Sequence, residues 1–141
     1  MAYWLVKSEP ETWSWDEQVK KGEKGTAWDG VRNFQAAANL KAMKVGDQAF
    51  FYHSGEERAV VGIVKVTRTA YPDPSDETGR FVMVDVKAHK PLPKPVTLAA
   101  IKAEPRLKDI KLVRQGRLSV SPLAPEEFAL ICRMGGLAKP D

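Results

Sequence analysis

The chain has 141 residues, 43% of them hydrophobic, which supports one well-packed domain over residues 1–141 and leaves too little material for two. Its formal net charge of +4 is compatible with a polyanionic partner but does not require one, since soluble proteins commonly carry such a charge. One cysteine and two histidines exclude an internal disulfide and a tetrahedral zinc site built from these residue types.

The N-terminal region predicts a strand followed by a short helix. Residues 3–7 are rich in aromatic and branched side chains, which favours a strand that ends before Pro10. Ser14 and Glu17 have the spacing of a capping box, in which each side chain caps a backbone N–H at the start of a helix. We therefore expect a helix that begins here and runs to about residue 20.

A glycine-rich stretch, residues 22–30, predicts irregular structure after this helix. Trp28 lies in the stretch, where no predicted strand or helix accounts for a large aromatic side chain. Asn33 is the expected N-cap of a second helix over residues 34–43. The inward face of that helix should consist of Phe34, Ala37, Leu40 and Met43.

The middle of the chain predicts β-structure. Residues 47–53 and 59–69 favour a hairpin around a short loop, and the composition of residues 71–80 is typical of a surface loop. Residues 81–88 alternate in polarity and favour a further strand. The proline-rich segment 91–95 should end that strand, because proline cannot donate to a sheet ladder.

The C-terminal region predicts a short helix over residues 97–103 capped by Thr97, a strand over residues 118–121 and a final helix that starts at Pro125. Strands and helices do not alternate regularly along the chain. This order predicts an α+β fold, a small mixed β-barrel flanked by helices.

Signals for catalysis and for membrane insertion are weak. No apolar run approaches the ~18 residues of a membrane span, and the glycines lack the context of a phosphate-binding loop. His53 and Ser54 are neighbours on a strand, so their side chains point to opposite faces and cannot form a nucleophile–base pair directly. We expect a cytoplasmic, monomeric, non-catalytic protein with no metal, cofactor or membrane partner.

Six short motifs, in order along almost the whole chain, resemble the EVE domain family, a branch of the PUA-like superfamily. The resemblance implies a PUA-like barrel of five to six strands with a pocket at one end, similar to that of the YTH readers of methylated adenine in RNA. It also implies recognition of a modified base, in DNA more than in RNA. The motifs occupy residues 3–10, 28–33, 51–54, 71–73, 112–120 and 134–136.

The same resemblance directs attention to Lys7, Ser8 and Trp28. In the YTH pattern a Lys-Ser pair ends the first strand, and a Trp in the following loop walls the pocket. An aromatic face returns roughly 1–3 kcal/mol per stacked base, which offsets the few kcal/mol lost when a base leaves its helical stack. We expect Trp28 to form that wall as an exposed indole, and Trp28→Ala to abolish preference for the modified base without unfolding the protein. The alternative is that this indole plugs the end of the barrel as part of the core.

Polar groups at the base edge must supply selectivity, because an unmatched buried donor or acceptor costs about 1–3 kcal/mol. Tyr52 and Ser54 share one strand face and form the pair expected to point into the pocket, whereas His53 points to the other face. For Asn33 a role as helix N-cap is an equally good explanation. The full set of candidate base-binding residues is Ser8, Trp28, Asp29, Val31, Asn33, Tyr52, His53, Ser54 and Ser119.

The densest basic run of the chain lies near its C-terminal third, with cations at positions 106, 108, 111, 114 and 117 and a single opposing acid at 109. We assign it to the phosphate backbone, although an ordinary solvated face would show the same composition. The candidate phosphate-binding residues are Arg32, Lys111, Arg114 and Arg117.

The sequence is also compatible with two other functions. A base-processing or nucleotide-hydrolysing enzyme would use Asp29 or Glu9 as general base, although isolated loop carboxylates more often accept hydrogen bonds. A sensor of a free nucleotide or a similar small molecule would need the pocket but not the basic run.

Overall fold

The computed structural model describes residues 1–138, so the last three residues of the expected single domain, 139–141, lie outside the described residues. The described strands are β1 Tyr3–Ser8, β2 Thr26–Trp28, β3 Gln48–His53, β4 Ala59–Pro72, β5 Val82–Thr97 and β6 Val120–Leu123. The described α-helices are α1 Trp15–Lys20, α2 Phe34–Ala42, α3 Leu98–Ala103, α4 Lys111–Arg114 and α5 Pro125–Met134. Two 3₁₀ turns, Gly22–Lys24 and Pro105–Leu107, complete the regular structure of this range.

All six strands belong to one mixed sheet in the order β2-β5-β4-β3-β1-β6. β1 runs parallel to β3, and the other neighbouring strands are antiparallel. Register shifts interrupt the β4–β5 ladder at several points, and such bulges bend a sheet toward a barrel-like shape. Within residues 1–138 the sheet is not closed, because β2 and β6 remain as edges, but the predicted α+β class and strand number are confirmed.

Two hydrophobic clusters cover the sheet on its two faces. Successive side chains of β3 point to opposite faces of the sheet, so Phe51 belongs to one cluster while Phe50 and Tyr52 belong to the other. The Phe51 cluster also contains Trp28 and the buried residues of α2. Trp28, a candidate site residue, therefore packs on the same face of the sheet as Phe51 and α2.

Several local predictions are confirmed. Ser14 and Glu17 form the capping box at the start of α1, and Asn33 and Thr97 cap α2 and α3 through their side chains. Pro125 is the first residue of α5. These features depend on neighbouring residues alone, which is why their spacing predicts them.

The prediction that residues 22–30 are irregular is wrong for Trp28, which ends β2 and pairs with Val84 of β5. Gly25 makes this close approach possible, since its φ is +67° and a Cβ atom there would lie 2.4 Å from the Val86 carbonyl oxygen. The strand is only three residues long, so a pattern of alternation could not reveal it.

Residues 91–95 do not end the fifth strand, which continues through the three prolines to Thr97. β2 pairs with β5 only opposite Val84 to Val86, so the later part of β5 has β4 as its described neighbour on one side alone. The β4–β5 register shifts from Gly62 opposite Pro91 to Val60 opposite Val96, so Pro93 and Pro95 have no partner on β4 and their missing N–H groups remove no ladder hydrogen bond.

The predicted inward face of α2 is wrong at its first residue. Phe34 is 62% exposed and stacks on Phe81, with 4.9 Å between ring centroids, while Ala36, Ala37 and Leu40 are buried. The last strand is also displaced from its predicted position, because β6 spans Val120–Leu123.

Candidate functional site

A cleft of about 680 Å³ opens where the end of β1, the turn after it, β2 and the loop 29–33 meet. This volume lies in the range of small-molecule sites. The residues that line the cleft are Lys7, Ser8, Glu9, Thr12, Trp13, Thr26, Ala27, Trp28, Asp29, Gly30, Val31, Arg32, Asn33 and Ser119.

Trp28 forms part of the cleft wall, but its indole is not the exposed surface that the sequence predicts. The residue is only 7% exposed and meets Phe51 edge to face, with ring centroids 5.5 Å apart. Trp28 thus belongs to the core and lines the cleft at once, which combines the two interpretations of the sequence. Its indole N–H has no hydrogen-bond acceptor among residues 1–138, which leaves this donor available to a ligand.

A second indole, Trp13, lines the same cleft and is half-buried. Its Nε1–H donates to Gln18 Oε1 at 2.9 Å, which fixes the orientation of the ring. The turn that carries it is closed by the Trp13 backbone N–H, which donates to the Glu9 carbonyl oxygen at 2.9 Å. Sequence reasoning missed Trp13, although its position four residues after Glu9 in the turn that follows the first strand was an available signal.

The polar groups of the cleft have defined hydrogen-bonding capacities. Ser8 Oγ donates its proton to the Trp13 carbonyl oxygen at 2.5 Å, so toward a ligand it can only accept. Asn33 Oδ1 accepts from the Ala36 N–H at 2.9 Å, which confirms the N-cap interpretation and leaves the amide NH₂ as a donor. Among residues 1–138 the exposed carboxylate of Asp29 has no hydrogen-bond or ion-pair partner.

Asp73 fixes the position of the loop 29–33 through hydrogen bonds. Its buried carboxylate accepts hydrogen bonds from the Gly30 N–H at 2.8 Å, from Arg32 Nη1 at 3.1 Å and from both the N–H and the hydroxyl of Ser75. Burial raises the pKa of Asp73, but the hydrogen bonds from Ser75, Gly30 and Arg32 outweigh it and lower the pKa to about 2. Asp73 lies in the motif 71–73 but was not among the candidate site residues, because the composition of residues 71–80 indicated a surface loop.

The charges around the cleft are mixed. The cleft lining contains two basic residues, Lys7 and Arg32, and two acidic residues, Glu9 and Asp29. Lys7 Nζ donates to the Gly116 carbonyl oxygen at 2.6 Å, and burial lowers the pKa of Lys7. Arg32 pairs with Asp73 while its side chain remains 40% exposed, so part of the predicted phosphate-binding group is already neutralised.

The 51–54 motif does not contribute to this cleft, which corrects the expectation that Tyr52 and Ser54 point into it. Tyr52 packs in the cluster on the other face of the sheet, because Phe51 takes the face toward Trp28. His53 anchors α1 instead, since its Nε2 accepts the Trp15 N–H at 3.0 Å while Nδ1 lies 2.8 Å from Glu57 Oε1. Ser54 continues the pairing of β3 with β1 through its N–H, which donates to the Ser8 carbonyl oxygen.

The other candidate phosphate-binding residues also lie outside the cleft lining. Arg114 is exposed and pairs with Asp109 at 2.9 Å, Lys111 is half-buried, and Arg117 is exposed. Arg117 lies two residues before Ser119, which does line the cleft.

Residues 1–138 contain no group of three His, Cys, Asp or Glu side chains placed to hold a metal ion. In the same range, no helix has both the length and the apolar character that crossing a bilayer would demand. Cys132 is buried, and burial raises the pKa of its thiol to about 11, so it carries no thiolate at neutral pH.

The chain is similar to several known proteins over most of its length. The EVE domain family model matches residues 2–134. Human thymocyte nuclear protein 1 is 34% identical to the chain over an alignment that covers 92% of this chain and 72% of that protein. A crystal structure of an Agrobacterium tumefaciens protein is 49% identical and superposes with a TM-score of 0.95 over 100% of both chains. The crystal structure of the human THYN1 protein in complex with 5-methylcytosine-containing DNA is 33% identical, with a TM-score of 0.90 over 96% of this chain and 98% of that one.

Proposed function

The chain belongs to the EVE domain family, and from this membership and the cleft described above we propose that it binds DNA carrying a modified base. One nucleotide leaves the helical stack, its base enters the cleft, and no bond is made or broken. The observation that carries the proposal is a cleft of about 680 Å³ that has two indoles and several unused hydrogen-bonding groups in its lining. The human THYN1 complex with 5-methylcytosine-containing DNA supports the choice of DNA and of a modified base.

The two indoles supply the stacking surface. Base–aromatic stacking is worth roughly 1–3 kcal/mol per base and tolerates any base, so Trp13 and Trp28 provide affinity more than selectivity. Trp13 is the more exposed of the two and presents the larger accessible surface. Trp28 offers a smaller area, because most of its ring packs in the core.

Selectivity comes from the polar groups at the cleft wall. Cytosine carries an amino group that donates, and Ser8 Oγ and the Asp29 carboxylate are acceptors suited to it. Trp28 Nε1–H is a donor suited to a ring nitrogen or carbonyl of the base. Val31 is buried and adds apolar surface for a methyl substituent. A methyl group in such a niche contributes only about 1–3 kcal/mol, so we expect a preference of about 10- to 200-fold for the modified base.

The DNA backbone provides the remaining attraction. Arg117 lies two residues before Ser119, which lines the cleft, and it is exposed and free of an ion pair among residues 1–138. Arg32 contributes its exposed fraction, while Lys111 and Arg114 extend the basic run away from the cleft. The monomeric state and the cytoplasmic location expected from the sequence stay predictions.

A binding panel tests the proposal. Fluorescence anisotropy with single- and double-stranded DNA and RNA, each with and without one modified cytosine or adenine, should give the tightest binding for a modified DNA. Mass spectrometry of the same oligonucleotides after incubation should find them unchanged. Equal affinity for modified and unmodified DNA would overturn the proposal. A free modified nucleoside that binds as tightly as the oligonucleotide would assign the cleft to a small-molecule sensor, and a released base would assign it to an enzyme.

A further inference from the structure

We propose that a second aromatic surface beside the cleft stacks the base next to the modified one. We call this surface the Phe34 shelf, and it consists of Phe34, Phe81, Arg32 and Arg80. The inference rests on the proposed function, because its occupant is the neighbouring nucleotide of the same DNA strand.

The shelf is a stacked aromatic pair of which one ring is exposed, with a guanidinium group over each ring. Phe34 and Phe81 stack with ring centroids 4.9 Å apart and an interplanar angle of 25°. The Arg80 guanidinium lies 5.8 Å from the centre of the Phe34 ring, and that of Arg32 lies 5.5 Å from the centre of the Phe81 ring. Phe81 is buried and supports the pair, whereas Phe34 is 62% exposed. The exposed part of Phe34 offers a base a stacking surface, and the two guanidinium groups against the pair supply positive charge for the phosphates of that strand.

Hydrogen bonds to the Asp76 carboxylate order the turn that carries Arg80 and Phe81. Asp76 accepts hydrogen bonds from the backbone N–H groups of Arg80, at 2.9 Å, and Phe81, at 2.8 Å, and from Thr78. A loop of this composition would otherwise sample many conformations, and ordering it only upon binding would weaken the complex. The shelf is therefore formed before any ligand arrives.

The shelf is continuous with the cleft. Arg32 belongs to both surfaces, and Asn33, which lines the cleft, directly precedes Phe34 in the chain. Asp73 binds Arg32 and Gly30 from the side of the loop that also carries Phe81, so the two surfaces are joined by hydrogen bonds. A nucleotide held in the cleft thus places the next base of its strand within reach of Phe34.

The test uses a labelled DNA duplex with one 5-methylcytosine and the variants Phe34→Ala and Phe34→Tyr. The matched control is Val45→Ala, which removes another exposed apolar side chain, 64% exposed, outside the cleft and the shelf. Thermal unfolding verifies that each variant folds. Loss of one stacked base corresponds to roughly 5- to 150-fold weaker binding for Phe34→Ala. Phe34→Tyr and Val45→Ala should bind as the wild type does.

A second set of duplexes assigns the occupant, because an abasic site replaces either the base beside the modified cytosine or the base opposite it. We expect the neighbouring abasic site to weaken wild-type binding and to leave Phe34→Ala without further loss. The shelf proposal would be overturned if Phe34→Ala bound the intact duplex with wild-type affinity. It would also be overturned if Phe34→Ala weakened binding by the same factor for all three duplexes. Neither result would affect the modified-base preference of the cleft. The proposal would be overturned as well if Phe34→Ala had no effect on binding only for the duplex that lacks the base opposite the modified cytosine. Absence of any modified-base preference in the wild type would remove the proposed function together with this inference.

Discussion

The buried carboxylate of Asp73 accepts a hydrogen bond from the backbone N–H of Gly30 at 2.8 Å. This contact joins the loop between β4 and β5 to the loop 29–33 that forms one side of the cleft. The same carboxylate pairs with Arg32, so two segments far apart in the sequence are held as one wall. Residues that never meet a ligand can therefore govern how well the cleft binds it.

Replacement of Asp73 by Asn should weaken DNA binding by loosening the loop 29–33. The substitution removes the charge that Arg32 and two N–H groups face, and leaving buried donors unmatched costs about 1–3 kcal/mol. Urea unfolding should reveal this loss of stability, and anisotropy should show weaker binding. Asp109→Asn is the matched control, because Asp109 forms an exposed ion pair with Arg114. Equal behaviour of the two variants would contradict the role assigned to Asp73.

The Asp73 contact should also be visible as a pH dependence of stability. The folded-state pKa of about 2 lies below the ordinary value of 3.8, so this carboxylate stabilises the folded protein above pH 3.8 and loses its contribution as the pH falls toward 2. The difference in unfolding free energy between wild type and Asp73→Asn should be constant at neutral pH and shrink across this acidic window. A difference that stays constant down to the lowest pH at which both proteins fold would disagree with the assignment.

Trp28→Ala should unfold the protein or greatly lower its free energy of unfolding, contrary to the expectation from the sequence alone. The indole is 7% exposed and packs against Phe51, and truncation of a buried Trp to Ala typically costs about 3–5 kcal/mol. That is a large part of the 5–15 kcal/mol that stabilises an ordinary domain. Trp28→Phe is the informative variant, because it keeps an aromatic ring but removes the N–H donor. We expect it to fold and to bind modified DNA less tightly, as measured by thermal unfolding and anisotropy.

Arg117 should contact a phosphate without influencing base preference. Neutralising one phosphate contact lowers the slope of log affinity against log salt by about 1. Titrations at several salt concentrations should therefore give a smaller slope for Arg117→Gln and an unchanged ratio between modified and unmodified DNA. Lys87→Gln serves as the control, since Lys87 is paired with Glu23 and lies outside both the cleft lining and the basic run. Identical slopes for wild type and Arg117→Gln would exclude this contact.

Much of the fold could be predicted because it depends on neighbouring residues. The helix caps at Ser14, Asn33 and Thr97 were predicted from side chains within three or four positions of the backbone groups they bind. The β3–β4 hairpin has strong strand propensities on both sides of a short loop. The motif 28–33 correctly indicated one wall of the cleft, because a run of consecutive residues forms it.

The errors arise where tertiary contacts decide the structure. Residues 26–28 form strand β2 because they pair with the edge of β5, and this pairing buries Trp28. Asp73 is buried against Gly30 and Arg32, which are distant in the sequence. The composition of the loop 71–80 does not predict these contacts. Tyr52 lies on the opposite face of the sheet from Trp28, and its separation from the cleft depends on the strand order.

The four tryptophans offer the most direct test of a base held in the cleft. Their indole N–H groups give separate signals in a ¹H–¹⁵N NMR spectrum, and the Trp4 N–H is buried in a hydrogen bond to Asp47 while Trp15 lies in the core. Titration with a duplex that contains one 5-methylcytosine should shift the signals of Trp13 and Trp28 and leave that of Trp4 in place. Unmodified duplex at the same concentration should produce much smaller changes. Saturating DNA that leaves the Trp13 and Trp28 signals unmoved would contradict the account.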